Sequence, residues 1–114
     1  SRDLRVFMAF GQPLAGMERH SAHWITNTAR GGTVRCRELD ADLVSLCRRA
    51  AEAVGGGLLA VDILEDPQRG YLVGEINHTM EFRNSSVPTG VDIPREMARG
   101  LRRFLDGRAV PCSA

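Results

Sequence analysis

The sequence predicts an α+β fold: an antiparallel sheet of hairpins with two packed helices. Two pairs of apolar runs flank turn chemistry, Leu4 to His20 and Leu58 to Asn77, and each pair reads as a β-hairpin. Two further stretches, Asp40 to Val54 and Ile93 to Leu105, carry apolar residues at helical spacing. At 114 residues, 43% hydrophobic and 25% charged, the chain can bury one modest core, so a single domain is expected.

Composition excludes several function classes. A net charge of +1, one Trp and one Tyr offer neither the basic field nor the stacking platform of a nucleic-acid binder. No apolar run approaches membrane-spanning length and no signal-peptide pattern opens the chain, so no membrane partner and a cytoplasmic location are expected. All 15 basic residues are Arg, which excludes a Walker A loop and lysine Schiff-base chemistry within these residues. Cys36, Cys47 and Cys112 have neither disulfide-framework nor zinc-site spacing, and Cys47 reads as a small hydrophobe.

In chain order, Leu4 to Phe10 (LRVFMAF) predicts a buried strand, Gly11-Gln12-Pro13 a turn, and Leu14 to His20 the returning strand. Arg5 on the first arm reads as a residue that snorkels to the surface. Ser21 to Val34 has no clean period and reads as a loop. Its Arg30 and Gly31-Gly32 suit an anion, because glycines let backbone N–H groups approach and arginine grips an oxyanion bidentately, although an ordinary polar loop has the same composition. The helix from Asp40 to Val54 presents Leu43, Leu46, Cys47, Ala50 and Val54 as its apolar stripe, capped by Asp40 and ended by Gly55 to Gly57. The hairpin follows, turning at Asp66 to Gly70. His78 to Val91 is a second long irregular stretch, of the kind that carries function. In the last helix Asp92 caps, Pro94 lies in the first turn, Met97, Leu101 and Phe104 face inward, and Gly107 ends it.

The central hairpin carries the chemistry. Side chains alternate along a strand, so Glu75 and Asn77 share a face. Pairing Glu65 with Leu72 would set Asp62 opposite Glu75. Like charges directly across a ladder repel, and a hard divalent cation such as Mg²⁺ between two carboxylates and an amide carbonyl would relieve that. A wet hairpin face with merely solvated acids is the alternative. Leu58, Ala60 and Leu64, on the face of Asp62, make that neighbourhood apolar for an idle carboxylate.

The segments WITNTARGG (Trp24 to Gly32), AVDILE (Ala60 to Glu65), EINHTMEFRNS (Glu75 to Ser85) and TGVDIP (Thr89 to Pro94) resemble the C-terminal portion of the ATP-grasp fold. Within that superfamily they are most similar to the RimK/LysX branch, the NHTMEF run above all to its alpha-aminoadipate–LysW ligases. The resemblance spans Arg2 to Leu105. It implies that Asp62, Glu75 and Asn77 hold Mg²⁺, as two ions, with Mn²⁺ as an alternative. It implies further that Arg19 contacts the ATP phosphates, that Asn27 binds nearby in the nucleotide site, and that Arg30 with Gly31-Gly32 holds the anionic substrate; Arg19 and Arg30 would then be the catalytic side chains. The implied chemistry is ATP-dependent joining of a carboxylate and an amine through an acyl phosphate. In LysX-like enzymes the carboxylate is the C-terminal Glu of a small acidic carrier protein and the amine is alpha-aminoadipate, a small amino acid. Positioning and charge neutralisation carry phosphoryl transfer, and metals with arginines supply both.

Two departures qualify the resemblance: the family holds its nucleotide with lysines, absent here, and grips it with domains that 114 residues cannot contain. The abrupt start at a buried strand agrees. The expectation is a fragment of a longer enzyme, with residues 1–107 as the C-terminal ATP-grasp subdomain and 108–114 as a tail, incomplete without the missing N-terminal part; a homo-oligomer is expected. Two alternatives stand beside it. One is a RimK-like ligase adding glutamate or another amino acid to a protein or peptide. The other is a non-catalytic α+β module that binds protein through its hairpin edge, indifferent to metal.

Overall fold

The computed structural model describes residues 2–20, 33–78 and 89–106. Five strands, β1 (Arg2–Ala9), β2 (Gln12–His20), β3 (Thr33–Cys36), β4 (Leu58–Asp66) and β5 (Gly70–Asn77), form one antiparallel sheet in the order β3-β2-β1-β4-β5. Helix α1 (Ala41–Ala53) covers one face and α2 (Ile93–Leu105) the other. The two predicted hairpins thus fuse into a single sheet through β1 and β4, whose apolar runs supply its centre.

Alternation along β1 and β4 divides the core between the faces. Leu4, Val6, Met8, Leu59, Val61 and Ile63 point at Leu43, Cys47, Ala50 and Ala51 of α1. Phe7, Ala15, Met17 and Ala60 point at Ile93, with Met97 packed against them. Burying apolar side chains on both faces is why β1 and β4 read as continuous hydrophobic runs. Each fully buried Leu or Ile contributes about 1.5–3 kcal/mol of transfer free energy.

Local chemistry sets the helix ends. Asp40 accepts the Leu43 N–H at 2.8 Å and caps α1; Asp92 accepts the Arg95 N–H at 3.2 Å and caps α2, with Pro94 in its first turn. Helix α2 approaches β1 closely at Gly100: a Cβ there would lie 2.9 Å from the Ala9 Cβ, so only glycine lets the helix seat at this distance.

Several expectations are corrected. The first turn is Phe10-Gly11, not Gly11-Gln12-Pro13; both residues have positive φ (49° and 83°), the conformation a two-residue hairpin requires. Phe10 tolerates it beside Phe104, whose ring stacks on its own at 4.5 Å. The stretch expected to be loop up to Val34 ends in a strand, since Thr33–Cys36 pairs with Met17 to His20; four residues on a sheet edge are too short to show a period. Glu65 pairs with Tyr71, not Leu72. Gly74 is the extra residue of a bulge between Asp62 and Ile63, and this one-residue shift restores Asp62 opposite Glu75. Asp62 and Glu75 are therefore partners as expected, through a different register. Three residues expected to face inward are partly exposed: Val54 at 41%, which caps the end of α1, Leu101 at 42%, and Phe104 at 45%, whose ring stacks on Phe10. The end of α2 at Gly107 and the tail 108–114 lie outside the described residues.

Candidate functional site

The face of the sheet that carries α2 is apolar where the helix sits and charged beyond it. Alternation puts Asp3, Arg5 and Phe7 of β1 on this face, and the ladders bring Arg19 opposite Asp3, Asp62 opposite Arg5, Glu75 opposite Asp62 and Asn77 opposite Ala60. Four adjacent strands thus each contribute to one charged patch.

Its centre is a two-pronged ion pair. Arg5 donates from Nε to Asp62 Oδ1 at 2.7 Å and from Nη2 to Oδ2 at 2.9 Å, and both side chains are only 13% exposed. Arg19 Nη2 lies 2.7 Å from Asp3 Oδ2 and 3.5 Å from Asp62 Oδ1. The Nε of Arg19 is buried and has no hydrogen-bond partner among the described residues, so this guanidinium has donor capacity to spare. Burial holds the Asp3 carboxyl above its usual range; the charge of Asp62 adds to this and Arg19 opposes it. The Arg5 guanidinium is held more firmly protonated, first by its hydrogen bonds to Asp62.

The snorkelling expected of Arg5 is therefore wrong, because Asp62 gives its guanidinium a partner inside the sheet face. Asp3 and Arg5 were both missed as site residues. The signal was available: in Asp3-Leu4-Arg5 the two charges share the face of Phe7, so a strand with one buried apolar face carries charge at its rim on the other. Of the residues singled out from the sequence, Arg19, Asp62, Glu75 and Asn77 come together on this patch. Asn27, Arg30 and Gly31-Gly32 lie outside the described residues.

Three oxygen donors of the patch are of the chemical kind a hard divalent cation takes, with both oxygens of Asp62 engaged by Arg5 in this structure. Asp62 and Glu75 are direct cross-strand partners, whose Cβ atoms lie about 5 Å apart in such a ladder, and Asn77 follows Glu75 on the same face. Glu75 is exposed and Asn77 half-buried, so both are open to a ligand. Among the described residues no three His, Cys, Asp or Glu side chains gather into a metal-holding group, on this patch or off it, so the set here is two carboxylates and an amide.

A second charged cluster on the opposite face is structural. Arg37 donates to Glu18 (2.7 Å), to both oxygens of Glu65 (3.1 and 3.0 Å) and to the Tyr71 hydroxyl (2.8 Å), and Tyr71 donates to Asp40. It ties the segment between β3 and α1 to the sheet. Cys47 is no nucleophile: burial pushes its thiol up to about 12, so it stays protonated at neutral pH. A cleft of about 500 Å³ lies at the β4–β5 turn, lined by Arg2, Glu65, Asp66 and Tyr71, and does not border the Asp62 patch. Among the described residues no helix is long and apolar enough to cross a membrane.

Residues 1–101 match the family model of the RimK-like ATP-grasp domain. The alpha-aminoadipate–LysW ligase LysX of Sulfurisphaera tokodaii is 30% identical over 105 residues, which are 91% of this chain and 37% of that protein. The glutamate–LysW ligase ArgX of the same organism is 32% identical over 104 residues, 89% of this chain and 36% of that protein. The chain thus spans little more than a third of the length of these curated relatives. Among solved structures, the ATP-grasp ligase PsnB, determined with a phosphomimetic variant of its minimal precursor, Mg and ADP, superposes with a TM-score of 0.73 at 23% identity, over 91% of this chain and 32% of its own. That likeness establishes the fold.

Proposed function

The chain belongs to the RimK-like ATP-grasp family, and from that premise we propose that it is the metal- and phosphate-holding subdomain, residues 1–107, of an ATP-dependent carboxylate–amine ligase. The observation that carries this reading is the patch in which Asp62 and Glu75 face each other across the ladder, Asn77 beside them, with Arg5 and Arg19 on the same face. Carboxylates, an amide and guanidiniums together are the group set that phosphoryl transfer calls for: oxygens for a hard cation and cationic forks for phosphate.

In the proposed reaction the γ-phosphoryl of ATP passes to a carboxylate oxygen, giving ADP and an acyl phosphate. An amine nitrogen then attacks the acyl carbon, the carbon–oxygen bond breaks, phosphate leaves, and an amide is formed. Bound Mg²⁺ supplies neutralisation of the phosphate charge. Arg19, anchored by Asp3 and with its Nε unspent, orients the phosphates; Asp62, Glu75 and Asn77 present the oxygens that hold the metal. Asn27 and Arg30 are assigned to the nucleotide and the anionic substrate on the family resemblance alone. The chain spans little more than a third of its curated relatives' length, and the remainder of such an enzyme would cover the nucleotide during turnover, excluding water from the acyl phosphate.

For the finer identity, the similarity to LysX supports alpha-aminoadipate as the amine and the C-terminal Glu of a LysW-like carrier as the carboxylate. Glutamate as the amine has its own support in the similarity to ArgX. Calorimetric titration of AMPPNP with Mg²⁺ into the chain and its Glu75→Gln variant tests the core of the proposal. Metal-dependent binding that the variant loses supports it, and equal binding by both overturns it. ADP release by the chain joined to the remainder of such an enzyme, stimulated by alpha-aminoadipate or by glutamate, then separates the two amines.

A further inference from the structure

We infer that Arg5 is a removable cap on the metal site: it occupies the Asp62 carboxylate when no anionic ligand is bound, so that a divalent cation and Arg5 compete for the same oxygens. The inference rests on the assignment of Asp62 as a metal ligand.

Both Asp62 oxygens are engaged, Oδ1 by Arg5 Nε at 2.7 Å and Oδ2 by Arg5 Nη2 at 2.9 Å, in the fork geometry that makes such pairs strong. The Arg19 charge stands 3.5 Å from Oδ1. A cation approaching Asp62 therefore meets two guanidiniums and finds the carboxylate already paired. Arg5 has to leave, or its repulsion weakens the metal.

The two arginines differ in how they are held. Arg19 is anchored by Asp3 at 2.7 Å whether or not Asp62 is available. Arg5, by contrast, donates its hydrogen bonds to Asp62. It is thus the one free to swing once something else accepts its protons, and an anion such as a nucleotide phosphate is such an acceptor. Anion binding to Arg5 uncovers the carboxylate, metal binding to the carboxylate releases Arg5 for the anion, and each ligand raises the affinity of the other by the same factor. Metal without nucleotide binds weakly.

The experiment is Mn²⁺ titration of the full chain without nucleotide, read from the electron paramagnetic resonance signal of the free ion, for the wild type, Arg5→Met, Arg5→Lys and Asp62→Asn. Arg5→Met is expected to bind Mn²⁺ about tenfold or more tightly than wild type, the scale of one charge-assisted hydrogen bond. Arg5→Lys keeps the charge but not the fork, and is expected to tighten binding by a smaller factor, which serves if Arg5→Met does not fold. Circular dichroism of each variant shows that the gain of affinity is read on an intact sheet. Folded Arg5 variants that bind Mn²⁺ no better than wild type, or not at all at millimolar metal, overturn the cap while Asp62-dependent binding in the wild type leaves the metal site standing. Binding retained in Asp62→Asn overturns the metal assignment itself.

Discussion

Truncating Asp62 to Ala should destabilise the chain by about 2–3 kcal/mol. The substitution removes the acceptor of two hydrogen bonds, at 2.7 and 2.9 Å, from a guanidinium that is only 13% exposed. Removing one partner of a buried pair costs about 3–5 kcal/mol because the other charge is left behind. Two features reduce this. Arg19 keeps its bond to Asp3, and loss of the repulsion between Asp62 and the facing Glu75 returns less than about 1 kcal/mol. Urea unfolding provides the assay: at a slope of about 1.5–2 kcal/mol per molar, the midpoint falls by about 1–2 M with the slope unchanged. The double variant Arg5→Met/Asp62→Leu, which removes both charges, should recover most of the loss. An unchanged or raised midpoint in Asp62→Ala would mean that the Arg5–Asp62 pair holds nothing together, since that is the behaviour of solvated acids relieved of each other.

Leu43→Ala removes a side chain with no exposed surface at the centre of the α1 face and should cost about 2–5 kcal/mol by the same unfolding measurement. Asp40→Ala takes away the α1 cap and should cost about 1 kcal/mol. The Tyr71 hydroxyl and then the Leu43 N–H hold the Asp40 carboxyl below its usual range of about 3.8, so its contribution is complete above that value and disappears as pH falls further; the gap between wild type and variant should close in an acid titration of stability. Gly100→Leu drives a side chain into Ala9 and should cost about 2 kcal/mol or more, read as a lower melting temperature.

Most of the fold was legible because it rests on local signals. The α2 span, both aspartate caps and both hairpins follow from periodicity and turn chemistry. What escaped the sequence depends on pairings between distant segments. The β3 strand is four residues on an edge. The bulge at Gly74 shifts a register that pairing rules alone set one residue off, and Asp62 meets Glu75 only because of it. The inward stripes ran wide at Val54 and Leu101, which are 41% and 42% exposed, while Phe104 meets the ring of Phe10, a contact helical spacing does not foretell.

The site was legible in half. Asp62, Glu75 and Asn77 stood out because polar groups interrupting apolar strands ask for partners, and Arg19 through the family resemblance alone. Asp3 and Arg5 did not, because an arginine on a strand has an innocent reading at the surface until its partner, 57 residues away in sequence, is known. That partner is Asp62, so the residue that drew attention to a cation was already sharing its charge with one.

Whether Asp62, Glu75 and Asn77 together hold a divalent ion is read from paramagnetic broadening. Substoichiometric Mn²⁺ added to isotope-labelled chain broadens carboxyl and amide signals steeply with distance from the bound ion, and it detects weak sites. A shared metal site gives selective loss of the Asp62 and Glu75 carboxyl and Asn77 amide resonances, abolished in Glu75→Gln. Broadening centred on Glu18, Glu65 or Asp66, with the Asp62 patch untouched, would contradict it.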